Sequence, residues 1–161
     1  MNQRMLRSFS FAALLLIGNA AAQEADRYEP VKAPYAQKLV QKAMAAHPEM
    51  LFIGLHAIPP GKTDNLIIAC NDPAKIGKVS TSRDMELVKN KGTNVQFNEK
   101  HKYYEVDQWF GDSSGNVLGM VVYHIDAARA SSEEDAGKRA SAIRDELQAK
   151  IPNLERLFKE R

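Results

Sequence analysis

Cysteine is nearly absent from this chain: Cys70 stands alone among 161 residues. A single thiol excludes an internal disulfide and any C-x-x-C redox pair. In an oxidising compartment it is either buried and inert or exposed and reactive. Cys70 closes the apolar run Leu66-Ile67-Ile68-Ala69, which favours the buried form. Long hydrophobic runs are missing too. The stretch Phe11 to Ile17 falls well short of the about 20 apolar residues that a membrane-spanning helix needs. There is no C-x-x-C-H for covalent haem and no H-E-x-x-H for zinc. No motif names a cofactor.

The N-terminus carries the pattern of an export signal. Arg4 and Arg7 precede the apolar Phe11 to Ile17, and Ala20-Ala21-Ala22 offers a small-residue cleavage site before Gln23. Residues 1–22 therefore read as a signal peptide, and the product as an exported, soluble protein, periplasmic or secreted. These residues hold two of the 22 basic side chains and none of the 20 acidic ones, which leaves 20 of each beyond them. With no net charge, nucleic acid and anionic membranes lose their electrostatic attraction as partners. The chain beyond the signal peptide has the length of one domain.

Past a polar leader, residues 23–33, the pattern of a single domain runs over residues 34–161. Pro34 suits the first turn of a helix, and Ala36, Leu39, Val40, Ala43 and Met44 recur at helical spacing to about His47. Leu51 to Ile58 reads as a strand, Pro59 to Asp64 as a turn, and Leu66 to Cys70 as the partner strand. Thr81 and Asp84 form a capping pair for a short helix near Arg83 to Asn90, with Lys91-Gly92 as its stop. Thr93 to Phe97 is either a small strand or a loop. Tyr103 to Phe110 and Val117 to Ile125 flank a turn rich in Gly, Asp, Ser and Asn, which predicts a hairpin. Ser131 and Glu134 cap a last helix to about Lys150, with Ala136, Arg139, Ala140, Ile143 and Leu147 as its inner stripe, the Arg139 stem snorkelling so that its charged head reaches solvent. Pro152 ends it, and Leu154, Leu157 and Phe158 form a terminal turn. This order predicts an α+β domain: one antiparallel sheet of about five strands with helices mainly on one face.

In its hairpin the chain resembles the PAS-like Cache (PDC) family of extracytoplasmic sensor domains. The matching residues are Asp112, Gly115 and Gly119, in a D-x-x-G-x-x-x-G pattern, followed by Val121-Val122 of the Val-rich strand it enters. The resemblance spans Pro34 to Ile125. It implies a small-molecule pocket between the sheet and the short helix and loops over it. Cache domains usually sit between membrane helices and feed a signalling module, so a free-standing version implies a soluble binding subunit, a partner of a membrane signalling protein, or a domain turned to another use.

The candidate site residues are His56, Arg83, Tyr104, Asp107, Trp109 and His124. His56 and His124 lie on strands where they suit donation of hydrogen bonds or ligation of a metal, though neither has a partner at ligand spacing. Aromatics and carboxylates on the strand from Tyr103 suit an amine or a polyfunctional ligand, and Arg83 suits a carboxylate. Other motifs fail. Gly61-Lys62-Thr63 ends like a phosphate-binding loop, but His56 stands where its first glycine belongs. Gly111 to Gly115 has the letters of G-x-S-x-G without a strand-to-helix turn around them. The leading expectation is a non-catalytic, sensor-like binding domain for a small molecule. Two alternatives stay open: an interaction protein that pairs through its helices with itself, as a homodimer, or with a membrane receptor, and a small periplasmic enzyme, metal carrier or haem carrier using His56 and His124.

Overall fold

Pro34 opens helix α1 (Pro34–Ala46) at the one place where a missing N–H costs no hydrogen bond, as seen in a computed structural model that describes residues 27–160. The expected signal peptide lies outside the described residues. Ala36, Leu39, Val40 and Ala43 are the buried stripe of α1. The strands are β1 (Met50–Ala57), β2 (Leu66–Cys70), β3 (Thr93–Asn98), β4 (Tyr103–Gly111) and β5 (Val117–Asp126). Helix α2 (Ser82–Lys89) lies between β2 and β3, and α3 (Glu133–Gln148) and the single turn α4 (Leu154–Leu157) come after β5. The fold is α+β, with one antiparallel sheet in the order β2-β1-β5-β4-β3.

Strand alternation sorts the sheet into two unlike faces. Ile53, Leu55, Val106, Phe110, Val121, Tyr123 and Ile125 point to the larger core, closed by the stripes of α1 and α3. Those helices thus spend their apolar faces on the protein's own sheet. The opposite face carries a smaller cluster of Phe52, Ile67 and Cys70, with Ile76 and Val122 against it, and α2 packs on that side of β4 and β5. Cys70 is fully buried and its Sγ donates to the Asp72 carbonyl at 2.9 Å, while burial pushes the thiol's pKa up. A thiol reagent should therefore leave the native protein unlabelled and modify it only after unfolding in urea. Rapid labelling of the native state would show that the cluster opens.

Three expectations change. The leader is part of the fold from residue 27: Glu29 N–H donates to Gly77 O at 2.8 Å and Val79 N–H to Arg27 O at 2.9 Å, so the body begins before Pro34. The cap of α3 is Ser132, which accepts from Asp135 N at 3.1 Å, and not Ser131. The Arg139 head reaches solvent as expected and pairs with Asp135 at 3.1 Å, but the residue as a whole is exposed, so its stem adds little to the stripe. In the β4–β5 turn, the Asp112 carboxylate accepts from Ser114 N, Asn116 N and Asn116 Nδ2, each at 2.9 Å. Gly115 closes this turn at φ +84°, and a methyl group there would meet nothing within 4 Å. Gly115→Ala should consequently cost only the left-handed backbone penalty, about 1 kcal/mol, read as a small drop in melting temperature.

Candidate ligand-binding site

The second sheet face holds three rows of side chains set by register. Phe52, His124 and Glu105 form one; Gly54, Val122 and Asp107 the next; His56, Met120 and Trp109 the third. Over these rows lie Tyr28, the stretch from Lys75 to Val79, and the start of α2. Between the two layers is a cavity of about 470 Å³. Helix α2 is anchored by a full capping box, in which Thr81 Oγ1 accepts from Asp84 N and Asp84 Oδ2 accepts from Thr81 N at 2.8 Å. That box fixes Thr81, Arg83 and Asp84 at the wall of the cavity.

The cavity carries charge of both signs: Asp107 and Glu105 come from β4, Asp84 stands beside Arg83 on α2, and Lys75 and Lys78 come from the stretch before it. Burial pushes the Asp107 carboxyl up to about 6, and the negative charges of Glu105 and Asp84 push the same way. A hydrogen bond from Asn94 Nδ2 at 3.3 Å and the charge of Arg83 oppose that rise. Glu105 lies 3.5 Å from His124 Nε2, and this contact holds its carboxyl below the usual range. The His124 ring is stacked on Tyr103, centroids 4.0 Å apart, and tilted against Phe52 at 4.9 Å. Lys75 Nζ sits 4.7 Å from the centre of the Phe52 ring. His56 is buried, and desolvation pushes its imidazole down to about 4, with Lys78 adding and Asp84 opposing. Its Nδ1 is 2.9 Å from Ser80 Oγ, which donates to Asn65 Oδ1 at 2.8 Å.

Four of the six candidate residues line this cavity: His56, Arg83, Asp107 and His124. Tyr104 and Trp109 do not. Tyr104 has the opposite parity to Asp107 on β4, so it packs with the main core, its ring 5.1 Å from Phe97. Trp109 shares the His56 row but stands beyond the last β3 pairing, held between Lys91 Nζ at 5.0 Å and the Arg144 guanidinium at 5.2 Å. Sequence reading missed Phe52, Lys75, Lys78 and Tyr28 as lining residues, and Ser80 and Asn65 as partners of His56. The two-residue period could have found Phe52 and Glu105. No periodic signal marks the others.

The arrangement suits binding of a small molecule that carries both charges over an apolar floor. His56 and His124 lie two rows apart and have separate partners. Among the described residues no three His, Cys, Asp or Glu side chains are grouped closely enough to hold a metal ion. Ser113 sits in the β4–β5 turn, its N–H on the Ile151 carbonyl, away from the cavity. Among the described residues no helix is long and apolar enough to cross a membrane.

No family model and no curated protein matches the chain. Among solved structures, the chain is similar to a type II free methionine-R-sulfoxide reductase from Thermoplasma acidophilum. That likeness covers 74% of this chain and 93% of that one, at 15% identity and a TM-score of 0.44. At that level it carries no argument about activity.

Proposed function

We propose that the protein is an exported, sensor-like binding domain of the PAS-like Cache kind, which holds a small amine-containing zwitterion without transforming it. The observation that carries the reading is the cavity of about 470 Å³, lined by the acids Glu105 and Asp107 of β4, by Asp84 of α2, and by the cations Lys75, Lys78 and Arg83. Phe52, Ile67 and Val122 give it a partly apolar wall, so a charge pair there is more sheltered than on an open surface. The pocket lies between the sheet and the short helix, where the Cache resemblance implies one. The export signal supports a ligand met outside the cytoplasm, and a membrane signalling protein is the partner such a domain would report to.

The test is the melting temperature of the purified protein against glycine, ethanolamine, acetate, adenine and zinc. A ligand at 100 times its dissociation constant adds about 2.7 kcal/mol, which raises the melting point of a domain of this size by several degrees. The expected result is a rise with glycine that exceeds the rise with ethanolamine or acetate, each of which carries only one of its two charges. A rise with zinc alone would replace this reading with metal binding, and no rise with any probe would sink it.

A further inference from the structure

We propose that His56 is a fixed hydrogen-bond acceptor of the site, locked as its neutral Nδ1–H form by the Asn65–Ser80 pair and presenting a bare Nε2 to an N–H of a bound amine. This rests on the binding reading above and names how the amine is recognised.

Proton bookkeeping fixes the tautomer. The Asn65 Oδ1 atom can only accept, so the single hydroxyl proton of Ser80 goes to it, at 2.8 Å. Ser80 Oγ then has no proton for His56 Nδ1 at 2.9 Å, and Nδ1 must supply its own. A neutral imidazole has one N–H, which leaves Nε2 as a lone pair. His56, Ser80 and Asn65 are 6%, 9% and 5% exposed, so water does not compete for these bonds.

Nε2 itself is buried and has no hydrogen-bond partner in the protein, although His56 lines the cavity. Buried acceptors are normally satisfied, and one left unpaired on a residue that lines a cavity is a place for a donor from outside the chain. Its direction is set by Gly54. A Cβ built there would lie 3.7 Å from His56 Nε2 and 3.1 Å from the Phe52 ring, so the nitrogen leans over the residue with no side chain. Gly54 pairs with Val122, and Val122 with Asp107. Acceptor and carboxylate thus belong to the same face of the sheet, with Val122 on the strand between them. Burial and the charge of Lys78 keep the ring unprotonated at neutral pH against the pull of Asp84.

Such an acceptor discriminates amines by their protons rather than by their charge. Methylammonium can donate an N–H to Nε2. Tetramethylammonium brings the same charge, but would leave the buried nitrogen unpaired.

Long-range proton–nitrogen spectra of the histidine rings test this directly, with His56 assigned through His56→Gln. Should that variant not fold, Ser80→Ala gives the assignment by releasing the lock and moving the His56 resonances alone. The expected spectrum shows a protonated Nδ1 and a bare Nε2. Methylammonium should move the Nε2 resonance and bind on the order of tenfold or more tighter than tetramethylammonium. A proton on Nε2, an Nε2 resonance unmoved by methylammonium, or equal response to both ions overturns the assignment. Any of these together with a melting-point rise from glycine would remove His56 and leave the binding reading standing.

Discussion

Asp107→Asn is expected to weaken ethanolamine binding by about 10- to 100-fold at pH 7, the worth of a charge-assisted hydrogen bond in a sheltered site, while making the free protein more stable. Its carboxyl is held at about 6 by burial and by Glu105 and Asp84. Because that value lies above the unfolded one, the folded state binds the extra proton, and stability falls as pH rises from about 4 to about 6. At pH 7 the full penalty is present, of the order of 2 kcal/mol once partial exposure is allowed for. Asparagine removes it, so the gain should be clear at pH 7 and absent at pH 4.

His56 runs the other way. Its folded value of about 4 lies below the unfolded one, so the folded state carries fewer protons and stability rises with pH from about 4 to about 6.5. In the parent protein the two slopes oppose each other; in Asp107→Asn the His56 slope stands uncovered. Urea unfolding at pH 4, 5, 6 and 7 reads both. Parallel curves for parent and variant would show that Asp107 is not a buried charge in the folded state. A site that stores this penalty when empty gains it back when a cation arrives.

The elements that local chemistry dictates were legible in the sequence. The stripe of α1, the apolar run of β2 and the Thr81–Asp84 box each rest on residues within a turn or two of one another. The failures have equally local causes. Ser131 and Ser132 each stand three residues ahead of an acid, so spacing alone cannot choose the cap, and only the backbone path selects Ser132. Residues 27–33 join the fold largely through backbone pairing with residues 77 to 79, which leaves no hydrophobic period to read. Strand β3 is an edge strand with no buried residue, so its side chains lack the alternation that marks β4.

The candidate site was half legible for a related reason. Period two puts Asp107 on one face of β4 and Tyr104 on the other, so no register could have given both to one pocket. His56 and His124 carry face information, and register sets their rows. Lys75, Lys78 and Tyr28 come from stretches with no period, and their approach to the sheet depends on how the chain from β2 to α2 crosses it. The Asn65–Ser80–His56 chain joins residues as far apart as 24 positions, visible only once β1 and β2 are paired.

Gly119→Ala is expected to be far more damaging than Gly115→Ala, although both glycines belong to the same hairpin pattern. A methyl group on residue 119 would lie 2.0 Å from the His56 carbonyl oxygen, 2.8 Å from its carbon and 3.1 Å from Ala57 Cα. These are backbone atoms of the strand paired with β5, so no side-chain rotation relieves the clash. The two central strands must separate, at a cost of about 3 kcal/mol or more, and the melting temperature should fall by roughly 10 °C. Gly115 serves the turn and Gly119 serves the sheet. The strand that Gly119 presses against carries His56, so the loss should reach the cavity as well: in whatever fraction of Gly119→Ala folds, the His56 Nε2 resonance should be displaced. A variant melting within two or three degrees of the parent would mean that β1 and β5 pass each other with more room than this packing allows, and the place assigned to His56 would fall with it.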